Sequence, residues 1–358
     1  MADLPAAQDR SSELQQQVQA AFAVQHPLAI QGSGSRAGFG LSPSRQYLQQ
    51  QPLAVAAHRG VIDYQPDELV IRARAGTRLV ELEHLLASHG QRFAADIPVP
   101  SAESTLGGAV ASGWDGPGRS LGVSLRDTVL GCRLINGRGD IVHFGGQVMK
   151  NVAGYDLSRL QVGALGTLGV ILDVALRLAP LPETQVSRCF AVQPDEVDSW
   201  WRRSKELRPL LSASCYHRGR LQLRLSGRTA ALEDLLPALG GEASDFDWQA
   251  LRNLRGDFFN GRQLACLYVP PRSRVDIEQG EVLLDWEGAR LWVKDGDHQQ
   301  LQHTAKAANG FLRVLRGDGA APLLPAEHWH RRLRGALDPA GILNPAIFRE
   351  QFTAAGGR

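Results

Sequence analysis

Residues 150–171 read KNVAGYDLSRLQVGALGTLGVI, an apolar stretch broken by Gly154, Gly163, Gly166 and Gly169. A glycine inside a core strand or helix costs roughly 0.5–1 kcal/mol relative to alanine. So much glycine implies a backbone that turns tightly or lies against something large. Gly166-Thr167-Leu168-Gly169 then opens a strand-like run, 170–178, that stops at Pro180. Glycine-rich backbone meeting a sheet edge in this way is a frequent seat for a flat cofactor.

Around this stretch lies an ordinary globular composition. The 358 residues suffice for two domains or one large one, and 43% hydrophobic with 21% charged residues fits a soluble fold. The formal net charge of +2 gives no reason to expect nucleic acid. Arg202, Arg203, Arg218, Arg220, Arg224 and Arg228 alternate with apolar residues, as on a solvated sheet face. Cys132, Cys189, Cys215 and Cys266 are widely spaced, which excludes the usual zinc and iron–sulfur patterns and implies no disulfide framework. A reducing, cytoplasmic compartment fits best. The first residues lack a signal-peptide pattern, and the most apolar stretch, 162–182, is cut by glycines, Asp173 and Arg177. Membrane contact is expected only through a partner.

Residues 11–24 read as an amphipathic helix capped by Ser11 or Ser12, and 27–30 as a strand entering the loop Gly32-Ser33-Gly34-Ser35-Arg36. Residues 61–64 and 69–75 alternate like paired strands, and Thr77 is expected to cap a helix carrying Leu79, Val80, Leu82, Leu85 and Leu86. Residues 97–122 read as loop. Residues 129–135 and 140–144 form a hairpin around Asn136-Gly137. After Pro180-Leu181-Pro182 the texture changes, with helices expected near 194–207 and 229–239 and strands near 219–225 and 264–269. The first half is α+β.

Two loops could carry chemistry. In 32–36, consecutive small residues after a strand let backbone N–H groups converge on an anion. The spacing Gly32, Gly34, Gly38, followed by Phe39-Gly40-Leu41-Ser42-Pro43, excludes a dinucleotide-binding helix of the Rossmann type. An ordinary flexible loop is the competing reading. In 98–113, Ser104 and Thr105 supply hydroxyls and Gly107-Gly108 permits close backbone approach; a structural Ω-loop competes there. Arg126 and Asp127 read as a structural pair, Lys150 as solvated, and Glu327-His328-Trp329-His330 as surface, since i and i+2 on a helix point apart. No nucleophilic triad has usable spacing.

Together, in this order, these segments resemble the flavin-binding domain of the vanillyl-alcohol oxidase/p-cresol methylhydroxylase (PCMH) superfamily. The resemblance covers 25–182, and the tail 337–345 (LDPAGILNP) is similar to the terminal element of its bacterial hydroxy-acid oxidoreductases. Residues 60–66 (GVIDYQP), 101–108 (SAESTLGG) and 150–156 (KNVAGYD) resemble the family of FAD-binding E subunits of bacterial glycolate oxidase. The resemblance implies a two-subdomain PCMH-type FAD-binding fold over 1–182, a reduced α/β cap over 183–330, and a segment, 331–358, returning to the FAD domain.

It further implies that Gly32, Ser33, Gly34, Ser35 and Arg36 hold the FAD pyrophosphate. Ser104, Thr105, Gly107, Gly108 and Gly113 would line the pyrophosphate–ribityl and isoalloxazine side. Gly163, Gly166, Thr167, Gly169 and Val170 would contact flavin and adenine. No histidine lies between His26 and His58 to take a covalent flavin, so the FAD is expected to be noncovalent, and no metal site is expected. The histidine- and acid-rich motifs of the family's catalytic subunits, HxGDGNxH and GEHG, are absent. Oxidising a 2-hydroxy acid needs a cation for the carboxylate and a base near the carbinol, and the sequence nominates neither. Three roles stay open: an electron-transferring or supporting FAD subunit, working beside a catalytic flavoprotein subunit and an iron–sulfur subunit of a glycolate oxidase complex; a self-sufficient dehydrogenase; or a structural subunit. The expected location is cytoplasmic, peripheral to the membrane's inner face through the complex.

Overall fold

The computed structural model describes residues 7–36, 49–146, 156–271, 273, 275–317, 326–350 and 352. Lys150 to Tyr155, with Gly154, and Gly38 to Pro43 lie outside the described residues. The chain divides into two compact units, one of Met1–Trp114, Ser124–Pro180 and Leu323–Arg358, the other of Asp115–Val123 and Leu181–Pro322. Sequence texture puts its boundaries at 182 and 330 and marks nothing at 115–123.

The first unit starts with α1 (Ser11–Ala23), which buries Leu14, Val18 and Ala21 at helical spacing. Its first amide is held by the Asp9 carboxylate (Ser11 N to Oδ1, 2.9 Å), so neither Ser11 nor Ser12 is the cap. β1 (Leu28–Gln31) pairs in parallel with β2 (Gln51–Ala54). A second, antiparallel sheet follows. It contains β3 (Val61–Gln65), β4 (Val70–Arg74), β5 (Gln91–Phe93), β6 (Val129–Ile135), β7 (Ile141–Gly145) and β8 (Val170–Pro180), ordered β3-β4-β8-β6-β7 with β5 on the end of β8.

β8 sits at the centre and is buried at every position from 170 to 176, as a strand covered on both faces must be. Asp173 lies within it, fully buried. Arg72 and Arg133 on the flanking strands each donate to its carboxylate at 2.7 Å, which pairs the charge that burial would otherwise penalise.

Three short helices pack here: α2 (Leu79–Ser88), α3 (Leu106–Ser112) and α4 (Leu125–Thr128). Thr77 does not cap α2. Its hydroxyl accepts from Gly60 N (2.9 Å) and donates to Arg74 O (2.7 Å), and α2 starts at Leu79 without a side-chain cap. The 97–122 segment is not all loop, for it contains α3, capped by Thr105 Oγ1 on Gly108 N, and a 3-10 turn at Pro117–Ser120. Asp127 and Ser124 form a capping box on α4.

The β6–β7 hairpin forms, but its turn is longer than Asn-Gly predicts. Asn136 Oδ1 accepts from Arg138 N and Asp140 N, both at 2.9 Å, and the left-handed residue is Gly139. Gly137 serves another need: its N–H donates to Leu337 O (2.7 Å), and a Cβ there would lie 2.6 Å from Asp338 Cα.

The second unit is built on one eight-stranded antiparallel sheet. Its strands are β9 (Thr184–Ala191), β10 (Leu211–His217), β11 (Arg220–Gly227), β12 (Glu242–Ala243), β13 (Leu264–Tyr268), β14 (Glu281–Asp285), β15 (Arg290–Lys294) and β16 (Phe311–Arg316). Their order is β12-β9-β11-β10-β14-β15-β13-β16. The helices α5 (Val197–Arg203), α6 (Thr229–Leu239), α7 (Trp248–Arg252) and α8 (His298–Ala307) accompany it. On β11, Arg220, Gln222 and Arg224 alternate with buried Leu221, Leu223 and Leu225, the expected half-solvated pattern. Arg290 is buried between the rings of Trp286 (4.0 Å) and Trp292 (4.9 Å), pairs with Asp285, and donates to Asp115 O at 2.7 Å. Trp286 Nε1 donates to Gly116 O (2.8 Å), so 115–123 belongs to this sheet through buried polar contacts.

The chain ends in the first unit with α9 (Glu327–Leu337) and α10 (Pro345–Glu350). Between them, Leu28 N donates to Ile342 O (2.8 Å) and Asn344 N to Leu28 O (3.0 Å), so the tail adds to the edge of β1. No helix among the described residues is long and apolar enough to cross a membrane.

The N-terminal segment carries a pH dependence. His58 is fully buried, and its Nδ1 accepts from Arg10 N at 3.0 Å, so the ring is neutral with its proton on Nε2. Burial pushes its pKa below the ordinary 6.5, more than the nearby Asp9 carboxylate restores. The unfolded chain therefore binds the extra proton first, and stability is complete above 6.5 and falls as pH drops below it. In urea unfolding between about pH 7.5 and 5.5, His58→Gln should lose less stability than the parent. Equal losses in both proteins would show that another group governs the slope.

Candidate functional site

A cavity with about 500 Å³ of empty space opens in the first unit where β1, α3 and the turn before β8 meet. Ile30, Val55, Ala75 and Ile171 supply apolar walls. Thr105, Gly107, Gly108 and Ala111 bring the α3 side, and Leu165, Gly166 and Gly169 the side before β8. Gly32, Gly76 and Asn344 complete it. None of these residues carries a carboxyl, imidazole, amine or phenol.

β1 leads straight from this cavity into the loop of small residues. Among the described residues, the amides of Gly32, Ser33, Gly34 and Ser35 donate to no protein acceptor. Backbone donors left open beside a cavity fit an anion better than a side chain. Gly34 takes φ +73°, where side chains are strained, and has open space around its Cα. Ser33 Oγ bonds Ser35 Oγ (3.1 Å), which in turn bonds Ser104 Oγ (3.0 Å), fixing the loop to the segment before α3. Arg36 donates to Pro98 O and lies 3.5 Å from Ser112 Oγ. Burial pushes its pKa down to about 10, so it stays cationic at neutral pH. An extended ligand with a diphosphate and an apolar flat part fits this set: amides and a cation for the charge, apolar walls for the ring.

The start of α3 contributes differently. Its first amides are already engaged, Leu106 N by Thr77 O (2.9 Å), Gly107 N by Ala75 O (2.7 Å) and Gly108 N by Thr105 Oγ1 (3.2 Å). It therefore offers a bare, close-packed wall and not a phosphate cradle. Ser104 is fully buried and accepts from Ser101 N (3.2 Å); it anchors the loop behind the wall.

Thus Gly32, Thr105, Gly107, Gly108, Gly166 and Gly169 come together on one cavity, with Ser33, Gly34, Ser35 and Arg36 extending from it. Gly113 ends α3 in the left-handed region, and a Cβ there would lie 2.8 Å from Gly163 Cα. Val170, buried, starts β8 and is not on the lining. Gly163 and Thr167 line a second cavity, of about 630 Å³ of empty space, together with Arg126, Arg159, His330 and Phe348.

Sequence reasoning missed Asn344 and Gly76. Asn344 is buried on a left-handed backbone (φ 43°), accepts from Ile30 N through Oδ1 (2.7 Å) and donates to Leu165 O through Nδ2 (2.7 Å). It ties two walls of the cavity to each other from the chain's far end. Gly76 lies against the 55–58 turn, and its N–H donates to His58 O (2.8 Å). Asn-Pro after a helix was the available signal for the former; the latter had none beyond being glycine.

Comparison with known proteins gives four results. Residues 7–145 match the family described as FAD binding domain. Glycolate oxidase subunit GlcE of Escherichia coli (strain K12) is 40% identical over 94% of this chain and 97% of its own length. Glycolate oxidase subunit GlcD of Bacillus subtilis (strain 168) is 32% identical over 44% of this chain, which is only 33% of that protein. Among solved structures, an alkyldihydroxyacetonephosphate synthase superposes with a TM-score of 0.65 over 95% of this chain and 75% of its own, at 15% identity, a likeness of fold alone.

Proposed function

The chain belongs to the family of FAD-binding E subunits of glycolate oxidase, and on that footing we propose that it is the noncovalent FAD-binding subunit of a glycolate oxidase complex, which oxidises glycolate to glyoxylate. Identity running through both compact units carries this reading.

When bound, FAD supplies a two-electron acceptor. The chain's own residues hold it. The amides of Gly32, Ser33, Gly34 and Ser35 and the Arg36 guanidinium take the pyrophosphate, each hydrogen bond to a charged oxygen contributing about 1.5–3 kcal/mol. Thr105, Gly107, Gly108, Gly166 and Gly169 admit the ribityl chain and ring against bare backbone. Ser104, Gly113, Gly163, Thr167 and Val170 shape those walls from behind.

Among the described residues, the cavity lining includes no group able to take the carbinol proton, and such a base must stand within hydrogen-bond reach. That favours electron transfer or support beside a catalytic flavoprotein subunit over a self-sufficient dehydrogenase. An iron–sulfur subunit completes the complex in this reading. The chain works in the cytoplasm and meets the membrane only through its partners.

The purified chain should show a flavin band near about 450 nm, and acid precipitation should release all the flavin into solution. Absence of the band after FAD is added would defeat the proposal. Turnover of glycolate by the isolated chain with an artificial acceptor would instead assign it the self-sufficient role.

A further inference from the structure

The second cavity and the helix beside it form a surface that the FAD site leaves unused. Trp329 on α9 is 52% exposed, among the described residues the most exposed of the large apolar side chains after Val24. Leu333, one turn on and therefore on the same face, lines the cavity with His330. Arg126 on α4 lines it too and has no acceptor among the described residues. Arg332 stacks over Trp329 at 5.6 Å and meets no carboxylate among them. The neighbouring cations are already balanced, Arg159 by Asp156 (3.1 Å) and Arg331 by Glu327. Among the described residues, the face thus presents an aromatic anchor, an apolar-walled cavity and two cations without counter-charge. A small anion would satisfy Arg126 and leave Trp329 bare, whereas an acidic protein segment reaches both.

We propose that this face docks an acidic, apolar-tipped segment of the catalytic flavoprotein subunit. A carboxylate of that segment enters the cavity toward Arg126, and an apolar side chain covers Trp329. Exposed tryptophan flanked by arginine is the composition of an interface hot spot. The proposal rests on the complex inferred above. Because Gly163 and Thr167 line this cavity while Leu165 and Gly166 line the first, docking bears on the same turn that walls the FAD site.

Affinity of the FAD-loaded chain for the flavoprotein subunit tests it. Trp329→Ala and Arg126→Glu should each weaken association about 30-fold, with flavin content and unfolding midpoint unchanged and Arg126→Lys largely restoring binding. Association unaltered in both variants overturns the docking alone. Flavin loss in Arg126→Glu would make the cavity part of the cofactor site, and a change in the chain's own oligomeric mass in Trp329→Ala would make the occupant a second copy; either overturns it. A wild-type chain that holds FAD yet binds no flavoprotein subunit overturns the docking and the complex together.

Discussion

Gly76→Ala is expected to cost on the order of 3 kcal/mol of stability or more and to yield protein with little flavin. An alanine Cβ would lie 2.6 Å from the carbonyl oxygens of Val55 and His58, and closer still to that of Ala56. These oxygens belong to a tight turn, closed by His58 N on Val55 O (2.9 Å), so they cannot retreat singly. The same turn carries Val55 on the cavity wall and the buried His58. Relief by movement therefore opens the cavity or breaks the turn. Gly335→Ala is the matched control. Nothing lies within 4 Å of its Cβ position on α9, and alanine should stabilise that helix by about 0.5–1 kcal/mol. Urea unfolding of both variants, with flavin counted per chain, decides the matter. A Gly76→Ala protein within about 0.5 kcal/mol of the parent would show that the turn yields more easily than its hydrogen bonds imply.

Gly34→Asp is expected to abolish tight FAD binding while leaving the fold intact. No atom lies within 4 Å of the Cβ position, so the loop accepts the side chain, and aspartate tolerates the left-handed backbone that φ +73° demands. What changes is charge. A carboxylate among the amides of 32–35 takes the donors the pyrophosphate would use and repels it. Losing two charge-assisted hydrogen bonds, at about 1.5–3 kcal/mol each, weakens affinity about 100-fold or more. Gly34→Asn has the same shape without the charge and should retain most of the affinity. Titration of the flavin-free proteins with FAD measures the difference, and equal affinities for parent and Gly34→Asp would place the pyrophosphate elsewhere.

Sequence reading went furthest where one residue type answered to one local cause. The run ending at Pro180 is β8 because nothing but a doubly covered strand buries so many branched residues in a row. The loop at 32–36 is legible because small residues after a strand leave amides open. α3 was hidden by the glycine pair 107–108, which lowers helix propensity; the helix exists because Thr105 caps it and because Gly107 can approach Ala75. Gly137 is a turn residue, as its sequence context implies, and also a contact residue for Asp338, which that context does not show. Asn344 lies 314 positions from its partner Ile30, and no periodicity spans such a distance. The excursion at 115–123 likewise depends on Arg290 and Trp286 far downstream.

The clasp that Asn344 forms between Ile30 and Leu165 sets an order of events during synthesis. A ribosome releases the amides of 32–35, α3 and β8 long before it reaches the residue that joins their two sides. Until then the cavity lacks a wall, and β1 lacks its neighbour on one edge. Closure of the cavity is thereby a late step, and a chain cut short before Asn344 would be made almost whole and yet lack the clasp.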